Sequence, residues 1–173
     1  MRYIFTSLLL LSLTNSAWAR RTDMLRNLAE GSVLNFGTPV ELPSNQSGIF
    51  FVRGHRELPR QGSTFCALEG SGNWSGQLKG RLRVTQVTEE HDLETGAYFG
   101  TSLTVMQEKD PQSEELLAAP VSRIRCVRDL EVGKVLNIWV NGEAMDSYPT
   151  DDGMPPTVQD LFDALAGVAT LEG

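Results

Sequence analysis

The densest group of residues able to do chemistry in this chain is the run Glu89-Glu90-His91-Asp92-Leu93-Glu94. Carboxylates at Glu90, Asp92 and Glu94 alternate in the way oxygen ligands gather around Ca²⁺. The run departs from the EF-hand pattern, because Thr95 stands where that loop needs glycine and Thr101 where it needs glutamate. Without a metal, carboxylates such as Glu90 and Asp92 are the groups an acid–base hydrolase acting on envelope material would use. Consecutive charges are equally what a solvated hairpin tip carries. His55 and His91 are the only two histidines, so a zinc site would need both, and their spacing suggests no ligand set. The sequence holds no G-x-S-x-G elbow, P-loop or H-E-x-x-H motif. These residues predict no catalytic centre, no metal and no cofactor.

The positive charges are more ordered than the acids. Lys79, Arg81 and Arg83 alternate along one segment, and Arg123 and Arg125 along another. On strands, each set would share a face. If the two strands are neighbours, the five cations form a stripe that would meet an anionic partner: a phosphate-bearing glycan, a lipid headgroup or an acidic protein. The plainer reading is a solvated sheet face whose cations pair with nearby acids.

Cys66 and Cys126 are the whole cysteine complement, and the start of the chain decides how to read them. Met1–Ala19 has one cation at Arg2, an apolar stretch from Ile4 to Leu13, and the small-x-small exit Ala17-Trp18-Ala19. That is the layout of a secretory signal peptide. Its apolar stretch is about half of what a membrane-spanning helix needs. Cleavage after Ala19 would leave residues 20–173 as a single domain in the periplasm or outside the cell. In an oxidising compartment, one pair with none left over predicts a Cys66–Cys126 disulfide, with two buried thiols as the alternative.

After that cleavage the chain would carry 14 Lys and Arg against 22 Asp and Glu. Such an acidic balance suits a soluble domain and argues against general affinity for nucleic acid. No later segment is apolar enough to span a membrane. The Asn45-Gln46-Ser47 and Asn73-Trp74-Ser75 triplets fit a glycan acceptor, relevant in a eukaryotic secretory pathway.

The elements that must position these residues read mainly as strands. Ile49–Val52, Thr64–Glu69, Gln77–Val84, Ala97–Val105, Val121–Arg128 and Val135–Val140 are short, apolar or alternating, and bounded by turn residues. Arg83–Ala97 would be a long hairpin with a charged tip, and Asn141-Gly142 a tight turn. A short helix is expected from Thr22 or Asp23 to Gly31. A loop or irregular edge is expected over 32–47, where Gly37, Pro39 and Pro43 fall, and a helical turn near Ser113–Leu117. Near the C-terminus, Pro155-Pro156 precede Thr157 and Asp160, a capping-box spacing. Val158, Leu161, Phe162, Leu165 and Ala169 then form one apolar stripe.

These signals predict a mainly β domain, an antiparallel barrel-like or two-layer sheet, with a short N-terminal helix and a C-terminal amphipathic helix packed on the sheet. Leu78, Leu82, Val84, Phe99, Leu103, Ile124, Leu161, Phe162 and Leu165 are the expected core. Gly72-Asn73-Trp74 resembles the G-x-W triplet of lipocalin-like barrels, a family that also places a helix after its strands. That family carries the triplet near its start, whereas here it lies more than fifty residues into the processed chain. The resemblance implies a small-molecule binder. The expected function is an exported non-catalytic domain that binds an envelope protein or an anionic ligand; a carboxylate hydrolase and a lipocalin-like binder are the alternatives.

Overall fold

The structure is a computed structural model and describes residues 23–44, 46–60, 62–70, 76–91, 98–108, 121–128, 138–140, 143–145 and 154–172. A 3-10 turn, Leu25–Asn27, opens it. Strands β1 (Val33–Glu41), β2 (Gly48–Val52), β3 (His55–Arg56), β4 (Phe65–Glu69), β5 (Gln77–His91), β6 (Tyr98–Gln107) and β7 (Arg123–Val127) follow. After them come β8 (Ile138–Val140), β9 (Glu143–Met145), helix α1 (Val158–Ala164) and β10 (Thr170–Glu172). Eight strands form one curled antiparallel sheet in the order β10-β1-β5-β6-β7-β4-β2-β3, and β8 and β9 pair separately. The mainly β architecture with one C-terminal helix is the class that the alternation predicts.

The curl has an inner face, which α1 covers, and an outer one. Leu34, Phe36, Ile49, Phe51, Leu68, Leu78, Leu82, Val84, Leu103 and Ile124 bury inward and meet Val158, Leu161 and Leu165 of the helix segment. Side chains alternate along a strand, so one face of the sheet and one stripe of the helix make this core. Phe162 is only partly buried against it, and the side chain of Phe99 lies outside what is described. A second, smaller cluster of Phe50, Val52, Phe65, Ala67 and Val127 is buried on the outer face. This explains why β2 reads as an unbroken apolar run: all five of its residues are buried.

Cys66 and Cys126 oppose each other directly across β4 and β7 and are joined by a disulfide. Their Cα atoms are 4.1 Å apart, just below the usual 4.4 Å lower bound for a bridge. Directly facing residues on neighbouring antiparallel strands approach to about 4.5 Å in the narrow pairs, which accounts for the close spacing.

Three local expectations change. The segment 32–47 is largely strand: β1 pairs with both β10 and β5. Gly37 and Pro39 sit inside it, where the β1–β5 register shifts between Phe36 and Val40, so the breakers mark an irregularity and not the end of the strand. The N-terminal helix shrinks to the 3-10 turn, with no side-chain cap on Met24, and Gly31 leaves it at φ 92°. Helix α1 stops at Ala164, turns at Gly167 with φ 73°, and the chain returns as β10. The capping box is present as spaced: Asp160 N–H donates to Thr157 Oγ1 and Thr157 N–H to Asp160 Oδ2. Asp92–Ala97, Ser113–Leu117, Asn141-Gly142, Gly72–Trp74, Asn45 and the first 22 residues lie outside the described residues.

Two contacts draw the ends of the curled sheet together. Arg56 on β3 donates to the Glu41 carbonyl at the end of β1 and to Gln46. The turn between β2 and β3 is built from Arg53 (φ 49°) and Gly54 (φ 78°), both positive as a two-residue primed hairpin requires. Gly54 N–H donates to the carbonyl of Ala164, and a Cβ there would stand 2.3 Å from the Ala166 carbonyl oxygen. Glycine is therefore needed twice at this position, for its φ and for the close approach of the helix end.

Candidate functional site

All five sequence-selected cations lie on the outer face, because Leu78, Leu82 and Val84 on β5, and Ile124 and Cys126 on β7, take the inner one. β6 runs between the two strands, so the cations form two groups and not one stripe. Each group is matched by glutamates, of which only Glu90 was among the residues selected from the sequence.

The first group gathers on β5 beside β1, β6 and β10. Arg81 Nε lies 3.1 Å from Glu108 Oε2 and its Nη2 lies 3.1 Å from Glu172 Oε2. Arg83 pairs with the other oxygen of Glu108 and donates to the Gly31 carbonyl. Asn35 donates to Glu172. The Arg81 and Arg83 side chains remain 50% and 44% exposed. Lys79 is exposed on the same face.

The second group is tighter. Register sets Glu69 on β4 opposite Arg123 on β7, and Arg125 opposite Ser102 on β6. Glu90, from the far part of β5, reaches across β6 to both arginines. Arg123 donates to Glu69 Oε2 at 2.6 Å and to Glu90 Oε1 at 3.4 Å. Arg125 Nε lies 3.3 Å from Glu69 and 3.1 Å from Glu90. Ser102 donates to Glu90. The Glu69 and Arg125 side chains are each only 8% exposed. Burial pushes the Glu69 carboxyl above its usual range; Arg125 and Arg123 pull it down by charge but do not outweigh the lost hydration, and Glu90 adds to the rise.

Between the two groups stands Met106. It faces Arg83 across β5–β6, while Thr104, two residues earlier on the same strand face, faces Arg123. Met106 is 57% exposed. A lone exposed apolar residue is ordinary. One set among half-exposed guanidiniums has the composition enriched at protein interfaces, where methionine and arginine are favoured.

The acidic run divides. Glu90 belongs to the arginine group, so its carboxylate is already satisfied. Glu89 points the other way and pairs with Arg26 at 3.1 Å. His91 packs edge-on against Tyr98, with ring centroids 5.6 Å apart. The phenol of Tyr98 shares a 2.7 Å hydrogen bond with Thr101, and burial above all pushes its pKa up to about 12. His55 lies on β3, five places from β5 in the sheet. Among the described residues no group of three or more His, Cys, Asp or Glu is placed to hold a metal ion, and no helix is long and apolar enough to cross a membrane. A shallow depression of about 190 Å³, lined by Gln46, Gly48, Ile49, Phe50, Arg56, Glu57 and Leu58, lies at the β2–β3 edge of the sheet and includes none of the five cations.

Sequence spacing identified the cations because alternation is a local signal. It could not identify Glu69, Glu108, Glu172 or Met106, whose meaning depends on which strands are neighbours. No protein-family model, curated protein or solved structure matches the chain.

Proposed function

We propose that this is an exported, non-catalytic domain of the envelope or extracellular space that docks a protein partner on the outer face of its sheet. The disulfide is consistent with an oxidising compartment. The observation that carries the docking reading is the exposed Met106 beside the half-exposed Arg81 and Arg83, with the Arg123 group one step along the sheet. Arginine offers five donors in a fixed fork, so a guanidinium paired with one carboxylate keeps donors for another acceptor. Because each arginine group already holds its own glutamates, the partner that fits brings both signs of charge and an apolar contact. That describes a protein surface better than a polyanion. The inner face supports the same choice over small-molecule carriage, since core side chains and α1 fill it.

The test is capture from native envelope extracts by the intact protein. The double substitution Met106→Ser with Arg81→Gln removes exposed groups without setting like charges together, and should leave the melting temperature nearly unchanged, since an exposed ion pair contributes about 0–1 kcal/mol. Capture of the partner should fall by about tenfold or more, equivalent to about 1.4 kcal/mol. Capture equal to wild type would overturn the reading. Arg125 is unsuitable for charge reversal, because a glutamate there would join the buried Glu69 and the half-buried Glu90 and test folding instead.

A further inference from the structure

Positive charge that lacks a counter-charge gathers at the β3 edge of the sheet. Of the ten Lys and Arg side chains described, six pair with a carboxylate: Arg26, Arg81, Arg83, Arg123, Arg125 and Arg128. The other four are Lys79, Arg53 in the β2–β3 turn, Arg56 on β3, and Arg60 just beyond it. No carboxylate among the described residues stands within ion-pair distance of Arg53, Arg56 or Arg60. In a chain of net charge −7, residues 53–60 thus set three arginines against Glu57 alone. All three arginines are exposed, and Leu58 between them is 50% exposed. The ledge is held in place from behind. Gly54 N–H donates to the Ala164 carbonyl, and Arg56 donates to the Glu41 carbonyl and to Gln46. A guanidinium carries five donors, so Arg56 keeps some for other acceptors.

We propose that this ledge rests on a membrane surface of anionic phosphate headgroups, with Leu58 entering the headgroup layer. Basic segments are drawn to such a surface, each arginine adding to the attraction, and the effect falls off within a Debye length. That short range answers the acidity of the chain. Charges more than about 8 Å from the headgroups are screened at physiological ionic strength, so arginines at the contact outweigh distant carboxylates. The three arginines are strung along the chain and do not converge on one cavity; the depression beside β2 is lined by Arg56 alone of the three, with Ile49, Phe50 and Leu58 as its apolar part. A single carboxylate of a partner protein would meet one guanidinium, whereas a layer of headgroups meets all three. An acidic protein segment is therefore the less favoured occupant. In the sheet, β7, β4 and β2 lie between β6, which carries Met106, and β3, so this contact is separate from the docking face and stands without it.

The test is cosedimentation of residues 20–173, disulfide-bonded and holding every described residue, with vesicles of equal parts phosphatidylglycerol and phosphatidylcholine. Wild type should bind these and not vesicles of phosphatidylcholine alone. Raising salt from about 0.1 M to about 1 M, which shortens screening from about 10 Å to about 3 Å, should release it. Arg53→Gln with Arg60→Gln should weaken binding about 25-fold, or about fivefold for each arginine. Arg53→Lys with Arg60→Lys keeps the charge and should bind as wild type does, which separates loss of charge from loss of fold. Leu58→Ser should weaken binding about fivefold. Arg56 is left in place, because it also holds Glu41 and Gln46. Wild type that ignores the anionic vesicles, or binds neutral ones equally well, overturns the proposal. So does binding indifferent to the double glutamine substitution. Release by inorganic phosphate at the concentration of the lipid phosphate would assign the arginines to a free anion instead, and binding to a polyglutamate peptide but not to vesicles would assign them to an acidic protein; either result overturns the membrane contact.

Discussion

Arg125 is where the fold depends most on a single charge. Its guanidinium Nε stands within 3.3 Å of Glu69 and 3.1 Å of Glu90, and its side chain is 8% exposed. Arg125→Met would keep much of the buried apolar volume while removing the charge. Two carboxylates would then share Arg123, whose side chain is 42% exposed. Breaking a buried pair by removing one member costs about 3–5 kcal/mol, whereas an exposed ion pair contributes about 0–1. At roughly 2–4 °C per kcal/mol for a domain of this size, the melting temperature should fall by about 6–20 °C at neutral pH. The pH dependence has a definite sign. Glu69 has a folded pKa raised above its unfolded value, so the folded state holds the extra proton. Its effect on stability is therefore most favourable below the unfolded pKa, near 4.5, and that advantage is lost as pH rises through the folded pKa. Removing Arg125 raises that pKa further, so the penalty of the substitution should be largest at neutral pH and shrink toward about pH 4.5. Adding Glu69→Gln to Arg125→Met should recover part of the loss at neutral pH. The assay is urea unfolding across pH for wild type, both single variants and the double variant. A loss under about 1 kcal/mol at neutral pH, or one that does not change with pH, would refute the argument that burial governs this cluster.

Gly54→Ala should destabilise by about 2–4 kcal/mol in the same assay, since the new Cβ meets the Ala166 carbonyl oxygen at 2.3 Å and the φ is 78°; a change under about 0.5 kcal/mol would mean the helix end does not hold this turn. The cysteines should resist alkylation in the unfolded, unreduced protein and react after reduction, and loss of the bridge over a separation of 60 residues should cost about 4 kcal/mol. In an absorbance titration of residues 20–173, which hold Tyr98 and Tyr148, one phenol should ionise only near about 12. Stability should fall as pH rises from about 10 through that value, because the folded state holds the proton that the unfolded state releases. A single transition near pH 10 for both phenols would contradict the burial of Tyr98.

What was legible in the sequence was what depends on neighbours along the chain. Alternation at Leu78, Leu82 and Val84 against Lys79, Arg81 and Arg83 is a period-two signal, and it placed β5 and its faces. Thr157 with Asp160 marked the start of α1, because a cap forms within one turn. The pairing of Cys66 with Cys126 followed from there being two cysteines, though not their direct opposition across β4 and β7. Tertiary structure decided everything that depends on strand order. Gly37 and Pro39 read as breakers, yet pairing with β5 and β10 keeps β1 a strand around them. Leu165 and Ala169 read as the end of the helical stripe, yet the helix stops at Ala164 and the chain returns as Thr170–Glu172, paired with β1. The two sets of cations shared a face as their spacing implies, but β6 lies between them, and glutamates from β4, β5, β10 and the end of β6 reach them. Local propensity determines which residues face together. Which faces meet is set by long-range register, where a buried charge must find its counter-charge, and no short stretch of sequence records that.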